Sequence, residues 1–206
     1  KAHRLVDREM LINIISESVG VDQFEVAIRE VFYEMTIYFL TRFQLANNDS
    51  SKQSEKIEVT LRLAELQLRK HAYEEAISLY VNLLPILYQD SNEEIIDKNK
   101  KVLVTHLLQN IGDIYMDMKS YTYAFSYYEQ AVNSSFQYLG EFHQDTLKAL
   151  HNLAAAAHNM QHHTQAEELY SKCLSMMPIV CGESHPSTVR CEWNLGLLFI
   201  RMREFD

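Results

Sequence analysis

The chain has 206 residues and a net charge of −9, which argues against bulk attraction to nucleic acid or anionic lipid. Five Gly and three Pro are too few for a many-turned sandwich or barrel and favour long helices. Cys173, Cys181 and Cys191 cluster late without a CxxC, which suits reduced thiols in a cytosol, and no apolar run approaches the ~18 residues that span a bilayer. No signal peptide is visible, although a chain starting at Lys1 need not start at the native N-terminus.

Residues 4–18, "RLVDREMLINIISES", carry apolar side chains at helical spacing (Leu5, Ile12, Ile15). Asp22 and Glu25 then resemble a capping box. A helix over about 23–45 is expected to be apolar over much of its circumference, from Phe24 and Val31 to Phe43, and therefore covered on more than one side. Residues 1–45 thus read as an N-terminal helical segment that packs on or caps the remainder of the chain. "ANNDSSKQSEK", 46–56, has no hydrophobic period and reads as a polar linker.

Beyond it the chain is periodic. The skeleton Asn110, Ile111, Gly112, Tyr115, Tyr121, Ala124, Tyr128 and Ala131 returns 42 residues later as Asn152, Leu153, Ala154, Ala157, His163, Ala166, Tyr170 and Cys173. It begins again at Asn194, Leu195, Gly196 and Phe199. A weaker earlier copy holds Leu63, Ala64, Tyr73, Ala76, Tyr80 and Leu83, with about six extra residues near 89–100. Small residues suit the close approach of two antiparallel helices, aromatics fill the space between pairs, and such pairs must stack to bury their faces.

This spaced skeleton resembles the tetratricopeptide repeat. The 42-residue length and the linker "LGE-x-H-[PQ]-x-T" are similar to the kinesin-light-chain type. The resemblance implies an all-α, right-handed superhelical solenoid of antiparallel helix pairs, preceded by N-terminal helices. The expected repeats are 57–100, 101–142, 143–184 and a truncated 185–206. In the linker, Gly140 and Gly182 suit left-handed caps, Pro186 a first helical turn, and Asp145 or Ser187 the free N–H groups there. His143 and His185 read as packing or hydrogen-bonding residues of the joint, too far apart to share a metal.

No phosphate loop, HExxH or Gly-x-Ser-x-Gly occurs. His158 and His162 lie at i,i+4, but no Cys or carboxylate completes a metal site, so no cofactor and no enzyme activity is expected. The tyrosines of "YTYAFSYYEQ" read as packing.

Columns on the first helix of each pair are more informative. Relative to the Asn, four residues before stand His106, Lys148 and Arg190, and one before stand Gln109, His151 and Trp193. The column itself is Asn110, Asn152 and Asn194; three after stand Asp113, Ala155 and Leu197, and seven after Asp117, Asn159 and Arg201. The resemblance implies that these columns line a concave peptide-binding groove, with the Asn amides holding a peptide backbone. The alternative for the Asn residues is a structural hydrogen bond to the neighbouring helix. The basic column either recognises an acidic peptide or C-terminal carboxylate or is an ordinary solvated face. Trp193 either walls a pocket or packs on a following helix.

The expected function is a non-catalytic, cytoplasmic interaction scaffold or adaptor binding a peptide of a partner protein, without nucleic acid or membrane insertion. The alternative is an architectural or self-association module, compatible with a homo-oligomer, that docks a partner through the apolar N-terminal helix or the open C-terminal end. The exposed apolar residues expected on 185–206 suggest that a longer solenoid continues.

Overall fold

The computed structural model describes residues 53–89 and 98–205, with Met35, Ile37, Tyr38, Thr41 and Arg42. Those five are helical. The rest of the expected helices 4–18 and 23–45, and most of the inserted stretch near 89–100, lie outside the described residues. The described chain is all-α, and two compact units divide between Ala72 and Tyr73.

In the first unit, α1 spans Gln53–Arg69 and buries Thr60, Leu63 and Ala64, one helical stripe. It begins inside the stretch 46–56 expected as a linker. Polarity misled there: Gln, Glu and Lys are good helix formers, and Glu55 in the first turn complements the helix dipole.

Among the described residues of the second unit, six helices are found: α2 (Tyr73–Gln89), α3 (Lys98–Asp117), α4 (Tyr121–Tyr138), α5 (Gln144–Asn159), α6 (His163–Val180) and α7 (Pro186–Phe205). Each packs on the next, and α5 also touches α7, the arrangement of a stacked solenoid. Ala124, Ala131, Ala154 and Ala166 are fully buried, and Tyr128 and Tyr170 are buried beside them. At Gly112 an added Cβ would lie 2.5 Å from Cε1 of Tyr128, so the glycine is there because the ring occupies its space. Tyr115 stacks between Tyr123 and Tyr127, at centroid distances of 5.2 and 5.5 Å, which makes these tyrosines the packing residues expected.

The turns within pairs share one device. Lys119 and Gln161 take positive φ, 58° and 63°, as His71 does after α1 at 58°. Their backbone bonds, Ser120 N to Tyr115 O and Lys119 N to Met116 O, then His162 N to Ala157 O and Gln161 N to His158 O, form Schellman caps. None of these residues is Gly, so each turn carries left-handed strain.

The joints between pairs give the Gly, His and Thr of the linker motif a task each. Gly140 and Gly182 have φ of 90° and 101°. The buried Thr146 and Thr188 hydroxyls donate back to the Gly140 and Gly182 carbonyls at 2.8 and 2.9 Å. His143 Nδ1 accepts the Asp145 N–H, and His185 Nδ1 the Ser187 N–H, both at 3.2 Å. The histidines therefore cap α5 and α7, a role expected of Asp145 and Ser187. The imidazole succeeds because it sits at the N-cap itself, with extended backbone at His143, whereas Asp145 is already the second helical residue. Pro186 opens α7 as expected.

Candidate peptide-binding face

Helices α3, α5 and α7 are the first members of successive pairs, so the expected columns recur on them in register. His106, Lys148 and Arg190 are all exposed, as are Asp117, Asn159 and Arg201. Asp113 and Ala155 are half-buried and Leu197 is exposed.

The column one residue before the Asn behaves differently. Gln109 and His151 are buried, at 2% and 4% exposure, and do not line an open surface. Gln109 Nε2 donates to the Asp145 carbonyl at 3.4 Å, and the His151 ring lies 5.7 Å from that of Tyr170. A polar residue type suggested a wet face, yet each side chain finds its partner inside the solenoid. Trp193 alone in that column is open, at 68% exposure.

The half-buried Asn column is also engaged. Asn152 Nδ2 donates to Asp113 Oδ1 at 3.3 Å, so α5 bonds to α3. Asn194 Nδ2 lies 3.1 Å from His151 Nε2, so α7 bonds to α5. The structural alternative thus holds for these two amides. The acceptor changes because Ala155 stands where Asp113 would recur. Tyr128 donates to Asp113 Oδ1 at 2.6 Å, whereas the ring of the matching Tyr170 lies 5.7 Å from that of His151.

Charge is set by this packing. Burial raises the Asp113 carboxyl, opposed by the Tyr128 hydrogen bond and the nearby Lys148 and Arg190. Burial lowers His151 to about 4, and the Arg190 guanidinium adds to the effect, so this imidazole is neutral and can accept the Asn194 amide. His106 Nε2 lies 3.3 Å from Asp145 Oδ2, which His143 also approaches. One repeat on, the residue in place of Asp145 is the neutral Ser187. Lys148 and Arg190 form no ion pair among the described residues.

Lys148 and Arg190 line one cleft of about 180 Å³, with Gln144, Asp145, Leu147, Met177, Cys181 and Ser187. That is below the ~300 Å³ at which small-molecule sites begin, so it suits one side chain or chain end. Met177 comes from the second helix of the pair and Cys181 from its C-cap, a contribution invisible to columns counted on first helices. Asp145 and Ser187, by contrast, lie three residues before Lys148 and Arg190, and i,i+3 spacing identifies them.

His162 sits at the N-cap of α6, while His158 is buried with its ring 6.4 Å from Tyr170. Among the described residues no group of three or more His, Cys, Asp or Glu converges. All three cysteines are free; Cys173 donates to the Leu147 carbonyl at 3.3 Å, and its hydrogen-bonded contact with Cys191 and its burial keep it a neutral thiol. No described helix is long and apolar enough to cross a membrane.

Stacked helix pairs with an exposed polar face define an all-α solenoid. Residues 103–179, just over a third of the chain, match the family model of the tetratricopeptide repeat. Solved structures of different proteins are similar in fold. BtubC (BKLC) from P. vanneervenii superposes with a TM-score of 0.62 at 20% identity, covering 84% of this chain and 65% of its own. A kinesin-light-chain-like protein with nearly identical TPR-like repeats from Podosopora anserina superposes at 0.65 with 16% identity, covering 98% and 87%. The apo quorum sensor NprR from B. thuringiensis gives 0.55 at 20%, covering 82% and 43%. The chain thus spans just under two thirds of BtubC and less than half of NprR. No curated protein sequence matches it significantly.

Proposed function

We propose that this chain is a non-catalytic scaffold that binds an acidic peptide segment or C-terminal carboxylate of a partner protein. The carrying observation is Lys148 and Arg190, two cations without ion-pair partners among the described residues, at one side-chain-sized cleft in a chain of net charge −9. Guanidinium and ammonium groups bind carboxylate through charge-assisted hydrogen bonds. Around the cleft, Asn159 and Arg201 extend the polar face toward the C-terminal ends of α5 and α7, and Asp113 and Asp117 make the α3 end acidic. A peptide would be oriented with its negative end toward α5 and α7. The Asn152 and Asn194 amides contribute by fixing the helices that carry the cations, and Asn110 remains the member of that column to test for direct peptide contact. Three free thiols fit a reducing, cytoplasmic setting.

The test uses fluorescein-labelled peptides with Asp/Glu-rich termini, as free acids and as C-terminal amides, followed by anisotropy. Binding that weakens at least tenfold in Lys148→Glu/Arg190→Glu supports the reading. Equal binding of wild type and variant, or none by wild type, refutes it.

A further inference from the structure

At each joint between pairs, the second helix and the first helix after it each bury a side chain at a matching position. Across α2 and α3 these are Leu83 and Leu107, and across α4 and α5 they are Ala131 and Ala149. Across α6 and α7 they are Cys173 and Cys191, both fully buried. Hydrocarbon side chains satisfy the packing at the first two joints, so packing does not dictate a thiol on both sides of the third.

The two thiols lie against each other. Cys191 Sγ is 3.9 Å from the Tyr170 carbonyl. Along a helix, a side chain lies beside the carbonyl three residues before it, which puts the Cys191 sulfur next to Cys173. Cys173, whose Sγ lies 3.3 Å from the Leu147 carbonyl, is within hydrogen-bonding reach of Cys191. That hydrogen bond lowers the Cys191 pKa, as does the Arg190 guanidinium, while burial and Glu192 oppose them. The same bond and burial raise Cys173. One thiol is therefore the readier nucleophile and the other the proton holder. The cleft lined by Met177, Ser187 and Arg190 adjoins the pair. Met177 is four residues from Cys173 on α6, and Ser187 four residues from Cys191 on α7, so a water-sized oxidant in the cleft is one helical turn from either sulfur.

We infer that Cys173 and Cys191 form a reversible disulfide on exposure to a hydroperoxide, tying α7 covalently to α6. The Cys191 thiolate attacks one oxygen of hydrogen peroxide. The O–O bond breaks, the sulfur becomes a sulfenic acid, and the departing hydroxide recovers the thiol's proton as water. Cys173 then attacks that sulfur. The S–O bond breaks, and the second hydroxide takes the Cys173 proton as another water. Two thiols are oxidised to one disulfide while one peroxide is reduced to two waters, and an added dithiol reverses the oxidation by exchange. Sulfurs already in contact bond by side-chain rotation, without moving a helix. The closed loop spans the Gly182 joint, so the cross-link restricts the unfolded chain and stabilises the joint. Transient disulfides of this kind are the ones that occur in a reducing compartment.

The test treats the folded chain with hydrogen peroxide, alkylates remaining thiols with N-ethylmaleimide in denaturant, and maps tryptic peptides by mass spectrometry. Expected is a cross-link between peptides 173–190 and 191–201, lighter by two hydrogens, in wild type and Cys181→Ala alike, and reversed by dithiothreitol. The melting temperature should rise by several degrees on oxidation and return on reduction. Cys173→Ala and Cys191→Ala should fold, since Ala131 and Ala149 fill the matching places, and should show neither cross-link nor rise. The inference is overturned if both thiols remain alkylatable in peroxide-treated Cys181→Ala, or if Cys181 is the partner in the wild-type cross-link. It is also overturned if the cross-link forms only after urea has unfolded the chain, or leaves the melting temperature unchanged or lower.

Discussion

The same substitution at two matching positions should act with opposite sign. Gly112 and Gly196 lie 84 residues apart, two repeat lengths, each in the interior of the first helix of a pair. Gly→Ala gains about 1 kcal/mol from helix propensity at either place. At Gly196 nothing lies within 4 Å of the new methyl, so the gain stands and Gly196→Ala should stabilise α7 by about 1 kcal/mol. At Gly112 the methyl would lie 2.5, 2.7 and 3.0 Å from three ring atoms of Tyr128. The ring cannot retreat easily: Tyr128 is 2% exposed, and its hydroxyl is tied to Asp113 at 2.6 Å. Overpacking of this kind costs about 1–3 kcal/mol, so Gly112→Ala should be neutral to about 2 kcal/mol destabilising. In urea and thermal unfolding followed by circular dichroism, the two variants should melt several degrees apart. The next repeat shows the compensation: Ala154 is followed by Ala155, so the alanine comes without a carboxylate to hold the tyrosine. Adding Asp113→Ala to Gly112→Ala should therefore cost less than the sum of the single losses, by at least about 0.5 kcal/mol. A Gly112→Ala variant as stable as Gly196→Ala would refute the claim that the Tyr128 ring dictates glycine.

Three further outcomes rest on named groups. His151 protonates near 4 when folded against an ordinary 6.5, so unfolding should draw protons in: stability is full above about 6.5, falls as pH drops toward 4, and loses up to about 3 kcal/mol; His151→Gln, the residue type of Gln109, should flatten that slope in urea titrations at stepped pH. At the turns, Gln161→Gly should gain about 1 kcal/mol by relieving a left-handed φ of 63°, while Gly182→Ala, at φ 101°, should lose at least as much in the same melts. Acidic-peptide affinity should fall steeply between about 50 and 300 mM salt by anisotropy; a salt-independent affinity would remove Lys148 and Arg190 from the account.

The repeat unit was legible because packing wrote it: Ala124, Tyr128 and Ala131 have no freedom at helix–helix contacts, so they recur. The joints were legible for the same reason, since Thr146 and Thr188 each close a loop on a glycine carbonyl. Two things were not legible. The first turn of α1 hid in a polar stretch, because Gln, Ser, Glu and Lys fit a solvated helix as well as a linker. The buried column of Gln109 and His151 hid because burial of a polar side chain depends on a partner far along the chain, Asp145 for one and Asn194 for the other.

The Asn column carries the deeper lesson about this face. An amide that both donates and accepts suits a peptide backbone, but it suits a neighbouring helix equally, and sequence spacing cannot separate the two. Asn152 reaches Asp113 and Asn194 reaches His151 because each first helix offers its successor one acceptor, first a carboxylate and then a neutral imidazole. Where Asp113 gives way to Ala155, the bond survives by moving to His151, whose low pKa keeps its nitrogen available as an acceptor at neutral pH. These bonds set the spacing of α3, α5 and α7, and with it the distance between Lys148 and Arg190. Asn152→Ala should therefore weaken acidic-peptide binding through position rather than contact. In that variant the remaining affinity should keep the wild-type salt dependence, whereas Lys148→Glu should lose it.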